Sequence, residues 1–150
     1  MTAFVTAPAG FLLAVLWFDL MFDMQALRHR GRGPLPEEVL ASIAGYYRRV
    51  TTLASPMNRL VGLVMAGLIA AVVVEIARGD APSWVSWTSL VLAGFAILTA
   101  LTHTFPSAVR LGRRADPLEA QSALARSICR DHLLCLAAIG SLLVLQLAFA

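Results

Sequence analysis

The chain has 150 residues, of which 59% are hydrophobic and 14% charged, and its mean hydropathy is +0.76. These values exclude an ordinary soluble domain and predict an all-α integral membrane protein with a single transmembrane domain over residues 1–150. All 12 basic residues are arginine and the formal net charge is +3. In a membrane chain such arginines mark loops rather than a nucleic-acid footprint, so membrane lipids are the expected surroundings and no nucleic-acid partner is expected.

The N-terminal stretch MTAFVTAPAG has no basic region, and the apolar run after it contains acids. A retained helix is therefore expected in place of a cleaved signal peptide. Four spans of roughly 20 residues are predicted, at 9–27, 57–76, 84–103 and 132–149. The first carries WFDLMFDMQ, with Asp19 and Asp23 four residues apart and so on one helix face. An acid at the bilayer centre costs roughly 2.5–3.5 kcal/mol, which requires the rest of the chain to receive the pair.

Two arginine-bearing connections, 28–56 and 104–131, separate spans one and two and spans three and four. Arg28, Arg30, Arg32, Arg48, Arg49 and Arg59 belong to the first connection and its exit, and Arg110, Arg113, Arg114, Arg126 and Arg130 to the second, against Arg78 alone in the short turn 77–83. The positive-inside rule then predicts a bacterial-type inner-membrane protein with both long connections cytoplasmic and both termini outside. Trp84 and Trp87 mark the outer interface.

Pro36, Glu37 and Glu38 read as proline at the first helical position with acids in the first turn. Val39, Leu40, Ile43, Tyr46, Tyr47 and Val50 follow at helical spacing, which predicts an amphipathic helix on the cytoplasmic membrane surface, ended or kinked by Ser55-Pro56. Asp116, Pro117 and Glu119 read as an acid cap, proline at the first position and a capping-box glutamate. No breaker follows, so the 33 residues from Pro117 to Phe149 predict one long fourth helix of about 50 Å.

An offset of 82 aligns Ala26, Arg28, Arg32, Glu37, Ala41 and Arg48 with Ala108, Arg110, Arg114, Glu119, Ala123 and Arg130, six identities in the 23 positions from 26 to 48. The order of span, arginine-rich turn, surface helix and span also occurs twice in one orientation. Together these suggest two parallel-repeated helical hairpins. Asp19 and Asp23 align with Leu101 and Phe105, so the acids belong to one half.

Counting back from Arg28 places Asp19 about 13 Å and Asp23 about 7 Å inside the boundary, and counting from Arg110 places His103 at about 10 Å. Asn58 and Arg59 open span two; Arg130, Asp131 and His132 open span four. These eight residues form the candidate ligand or ion-pair cluster, confined to the cytoplasmic half. Glu75, Arg78 and Asp80 are expected at the opposite rim, in water. The cluster reads either as a clasp in which Asp19 or Asp23 meets Arg59, or as a ligand, substrate or proton site, or as a partner-binding patch.

His103, His132 and Asp23 are the candidate metal ligands, and either histidine is a candidate haem ligand. Against this stand hydrogen-bonded, interfacial histidines and the absence of the ExxH repeats of di-metal bundles. Cys129 and Cys135 have neither a CxxC nor a metal-ligand spacing and read as packing residues. Gly62, Ala66 and Ala70 form a small-residue seam, either for intramolecular packing or for a homo-oligomer or larger complex. There is no Walker loop, GxGxxG or GxSxG, so soluble-enzyme chemistries lack support.

The Pro-Met-Asn-Arg entry to span two, Pro106 with Arg110-Leu111 after span three, and Arg130-Asp131-His132 before span four resemble the anthrone-oxygenase-like, DUF1772-type small membrane proteins. Ser107-Ala108 and Ile128-Cys129 depart from that family's pattern. The resemblance implies a four-helix membrane fold and, for some members, oxidation of polycyclic aromatic substrates. Three readings of function from different classes remain, and the first is preferred because no constellation of residues specifies chemistry. The first is a non-catalytic accessory or scaffold subunit or lipophilic-ligand-binding bundle. The second is an oxidoreductase or oxygenase for a polycyclic aromatic or quinone-like substrate. The third is a proton or ion carrier using Asp19.

Overall fold

The computed structural model describes residues 2–29, 33–53 and 55–150. Arg30 and Arg32, two of the orientation-setting arginines, lie outside the described residues. Helix α1 spans Thr2–Arg28, α2 Glu37–Arg48, α3 Ser55–Arg78, α4 Ser83–Thr99, α5 Phe105–Arg113 and α6 Leu118–Phe149, and there is no strand among the described residues. Five-residue π-helical turns join the ladder at Arg49–Leu53, after α2, and at Ala100–Thr104, between α4 and α5. Four helical stretches are long and apolar enough to cross a membrane: Thr2–Arg28, Pro56–Arg78, Ser83–Arg113 and Leu118–Phe149.

Two of these run further than the apolar counts of 9–27 and 84–103. Helix α1 begins at Thr2 and tolerates Pro8 in its second turn, and the third stretch passes through Pro106 to Arg113. Pro106 sits in the first turn of α5, where its missing N–H and fixed φ are harmless, and the π turn before it absorbs the register change. The chain reverses at Arg114, whose φ of 53° places a non-glycine residue in the left-handed region at the helix C-terminus.

Both predicted prolines sit one place earlier than expected. Pro36 and Pro117 are N-cap residues, and neither α2 nor α6 has a side-chain cap hydrogen bond. Asp116 does not cap α6, because Arg110 takes it: Nε and Nη2 donate to its two oxygens at 2.8 Å each. Those hydrogen bonds hold the Asp116 carboxyl below its usual range. Arg114 likewise grips Glu37 at 2.7 and 2.8 Å, tying the turn after α5 to the start of α2. From Leu118 the last helix runs 32 residues without a break, about 48 Å.

The core has two parts. Between the apolar stretches, Val5, Ala9, Leu12, Leu68, Val72, Ala93, Ala96, Ala138, Ile139 and Leu142 pack together. The alanines among them let α1, α4 and α6 approach closely. At the end bearing the arginine-rich connections, called the arginine end below, Leu35, Leu40, Ile43, Ala44 and Tyr47 pack against Ala26, Ala108, Leu111, Ala125 and Ile128. The apolar face of α2 therefore meets α1, α5 and α6, not a lipid surface as its periodicity suggests. Each buried Leu or Ile there contributes at most about 1.5–3 kcal/mol.

Helix α3 stands apart. It touches α1, α4 and the first π turn but makes no close backbone approach to α5, α6 or the second π turn. The gap this leaves creates the site described next.

Candidate functional site

Asp19 and Asp23 each meet a tyrosine from α2. The Tyr46 hydroxyl donates to Asp19 Oδ1 at 2.6 Å, and the Tyr47 hydroxyl donates to Asp23 Oδ1 at 2.6 Å. His132, on α6, completes the set: its Nδ1 lies 2.6 Å from Asp23 Oδ2, and its Nε2 lies 3.7 Å from Asp19 Oδ2. Every carboxylate oxygen of the pair thus faces a proton-bearing or proton-accepting group. Asp23 is fully buried and His132 nearly so. Such charge-assisted bonds are worth roughly 1.5–3 kcal/mol each, and leaving one member unpaired costs more than that.

The local sequence explains the pairing. A four-residue spacing stacks the two acids along α1, one turn apart, and adjacent tyrosines project about 100° apart from α2, so each finds its own acid. Phe22 stacks on Tyr46 at 4.1 Å between ring centroids with a 10° interplanar angle, which steadies the ring that reaches Asp19. Gly112 on α5 allows α2 to come this close: a Cβ there would sit 3.0 Å from the Arg48 backbone nitrogen and 3.4 Å from the Tyr47 carbonyl carbon. Burial first, and then the adjacent carboxylates, push both phenols above their usual value, so Tyr46 and Tyr47 are donors at neutral pH.

Asp19, Tyr46, Tyr47 and His132 form the polar wall of a cavity of about 310 Å³. Its other walls are mostly aliphatic, from Leu12 and Leu16 on α1, Val61 and Met65 on α3, and Ile139 on α6. Met57, Gly62, Leu101 and Phe105 also line it and are themselves exposed. They place its mouth on the flank of the bundle, where α3 diverges from the π turn and α5.

The other predicted site residues divide. Asn58 lines the cavity and donates from Nδ2 to the Thr51 carbonyl at 2.7 Å, closing the join between the first π turn and α3. Asp131 and His103 form a neighbouring pair at 2.5 Å, and the Thr104 hydroxyl donates to the same Asp131 oxygen at 3.1 Å. His103 is half exposed, on the π turn. Arg59 and Arg130 do not join: both point away from the bundle, and the expected clasp of Arg59 with Asp19 or Asp23 is replaced by the two tyrosines and His132. Gly62, Ala66 and Ala70 are exposed, so the seam is not used for packing within this chain.

No three His, Cys, Asp or Glu side chains converge as a metal-binding set among the described residues. Of the metal candidates, Asp23 and His132 bond to each other, and His103 bonds to Asp131 instead. Tyr46 and Tyr47 were legible only as members of an apolar stripe. Their hydroxyls, two in succession on the helix facing a paired-acid span, are the signal that finds the site.

The opposite end of the bundle, at the Gly79 turn, corrects a second expectation. Glu75 is not at a wet rim but 1% exposed. Its Oε1 accepts from the Ser86 hydroxyl at 2.8 Å and from Gln146 Nε2 at 2.9 Å, and Gln146 Nε2 also donates to the Ser89 hydroxyl at 3.1 Å. Counting residues gave Glu75 its depth but not its rotation, which turns it inward across the gap between α3 and α6.

Comparison of the chain with protein-family models, with curated proteins and with solved structures finds no match.

Proposed function

We propose that this protein is an inner-membrane bundle that binds a lipophilic molecule bearing a hydroxyl or carbonyl end, with its arginine-rich connections in the cytoplasm and the Gly79 turn outside. One observation carries the reading: a mostly apolar cavity of about 310 Å³ has its ionisable groups, Asp19, Tyr46, Tyr47 and His132, gathered on one wall, and has a mouth on the bundle's flank. Ligand sites have this character, apolar walls with a few oriented polar groups, and volumes from about 300 Å³ upward. A lateral mouth admits a ligand from the lipid without a passage through water. Asp19 Oδ2 and His132 Nε2, 3.7 Å apart and so not hydrogen-bonded to each other, are the polar atoms placed to meet the ligand's polar end. Polycyclic phenols and quinones fit this description, in keeping with the resemblance to anthrone-oxygenase-like proteins.

Titration of the detergent-solubilised protein with a hydroxylated naphthoquinone, followed by fluorescence quenching, tests the proposal. Saturable binding is expected, weakened about tenfold or more by Asp19→Asn. Absence of saturation, or binding indifferent to Asp19→Asn, contradicts it.

A second reading, an oxidoreductase acting on the same ligand class, is favoured by the acid–base chain from Asp23 through His132 to Asp19 at the cavity wall. These residues would accept and relay a proton released by a bound phenol. Oxidation of a quinol by an added electron acceptor such as ferricyanide, abolished by His132→Ala at saturating quinol, would select this reading over binding alone.

A further inference from the structure

We propose that Arg48, Arg49, Arg59 and Arg113 hold the phosphate of an anionic phospholipid whose acyl chains lie along the bundle's flank, across the mouth of the cavity. The inference rests on the reading of the bundle as membrane-spanning and not on the identity of the cavity's ligand.

The four arginines are rooted at one junction. Gly112 lets α5 approach the end of α2 so closely that a Cβ there would lie 3.0 Å from the Arg48 nitrogen and 3.1 Å from its Cα, which puts Arg113 beside Arg48 and Arg49. The first π turn opens with Arg49 and touches both α5 and α3. The hydrogen bond from Asn58 Nδ2 to the Thr51 carbonyl, at 2.7 Å, fastens the start of α3, and Arg59 with it, to that turn. All four arginines are exposed, and their side chains form no ion pair with any described residue.

The acids of this end lie elsewhere. Glu37 and Asp116 are taken by Arg114 and Arg110. Glu38 is ten residues before Arg48, about 15 Å away along α2. Leu35 N–H donates to Ser122 Oγ at 2.9 Å, which keeps the first turn of α6, and Glu119 in it, beside the start of α2. Four like charges gathered without an acid repel one another. A phosphate turns that repulsion into attraction, because its oxygens accept paired N–H groups from planar guanidinium forks.

The surroundings select a lipid as the carrier of the phosphate. Arg59 is near the start of the apolar stretch Pro56–Arg78. Next to it Met57 and Leu60 on α3 are exposed, as are Leu101 and Phe105 across the gap, and Met57, Leu101 and Phe105 line the cavity's mouth. Arginines at the head of an apolar flank match a headgroup joined to acyl chains. A zwitterionic headgroup brings its own cation and leaves the arginines uncompensated, so the charge balance selects an anionic one.

Thermal melting of the whole purified protein in a neutral detergent, with phosphatidylglycerol or phosphatidylcholine of the same acyl chains added, tests this. Phosphatidylglycerol is expected to raise the midpoint by several degrees and phosphatidylcholine to leave it nearly unchanged. The double variant Arg49→Gln, Arg113→Gln should lose most of that rise. Arg28→Gln with Arg130→Gln, which removes the same charge from two other exposed arginines, should keep it. Asp19→Asn should keep it as well, so failure of the lipid site and failure of the cavity's ligand are told apart. Equal responses to the two lipids overturn the proposal, as does a rise that survives in the Arg49, Arg113 variant or vanishes in either of the other two. A rise of the same size with inorganic phosphate at matched ionic strength also overturns it, since that is an anion site without a lipid.

Discussion

The two polar clusters of this bundle share their ingredients and differ in closure. At the arginine end, the four carboxylate oxygens of Asp19 and Asp23 face three side chains drawn from α2 and α6: Tyr46, Tyr47 and, through both ring nitrogens, His132. At the turn end, one carboxylate and one amide bridge the gap between α3 and α6 and leave two buried acceptors without donors. A closed network fixes geometry, which suits a wall that orients a ligand, whereas an open one asks for something the chain does not supply. The contrast sets a closed cluster beside the cavity against an open one at the turn end of the same four-helix bundle.

Breaking the closed network should have the largest effect. Asp23→Ala removes the partner of both Tyr47 and His132, and a loss of about 3–5 kcal/mol is expected, measured as unfolding free energy in mixed detergent. Gly112→Ala attacks the same network without touching it, by driving α5 off the Arg48 backbone. About 1–3 kcal/mol should be lost, and ligand affinity should fall with it because Tyr47 rides on the displaced turn. Tyr46→Phe deletes one hydrogen bond at the cavity wall and should cost about 0.5–1.5 kcal/mol in the same unfolding measurement. Glu75→Gln should cost least, less than about 1 kcal/mol, since it removes a charge while keeping the bridge. A Glu75→Gln loss as large as that of Asp23→Ala would erase the distinction between the clusters.

The tyrosines also give the arginine end a pH signature. Their folded-state values are raised, so the stability they contribute is fully present below the ordinary tyrosine value of about 10 and is lost as pH rises beyond it. Melting temperature should therefore be insensitive to these groups from neutral to mildly alkaline pH and decline above about pH 10. The double variant Tyr46→Phe, Tyr47→Phe should lose much of that decline, and an unchanged alkaline limb would show that the phenols do not govern it.

Composition and apolar run length were enough to read an all-helical chain with four membrane-length helices, because those properties depend on what each segment contains and hardly on how segments meet. The rotation of each helix depends on contacts distant in sequence, and there the reading fell short. Arg59 enters at a depth suited to Asp19 yet faces outward, while Tyr46 and Tyr47, counted with Leu40 and Ile43 as one apolar stripe, turn their hydroxyls to the acids. Glu75 shows the same limit from the other side: three residues before Arg78 it looked like a rim residue, and its rotation buries it. His132 was legible as a site residue from its place beside Asp131, but the two diverge, His132 to Asp23 and Asp131 to His103.

The central claim is that the cavity holds a lipophilic molecule against Asp19, Tyr46 and His132. Native mass spectrometry of the purified protein, beside the variant Ala100→Phe, which fills the cavity from a residue of its lining, tests it most directly. The account predicts a bound lipophilic species on the wild type that is absent from a folded Ala100→Phe; equal occupancy of the two proteins, or a wild type that neither carries nor takes up any such molecule, would contradict it.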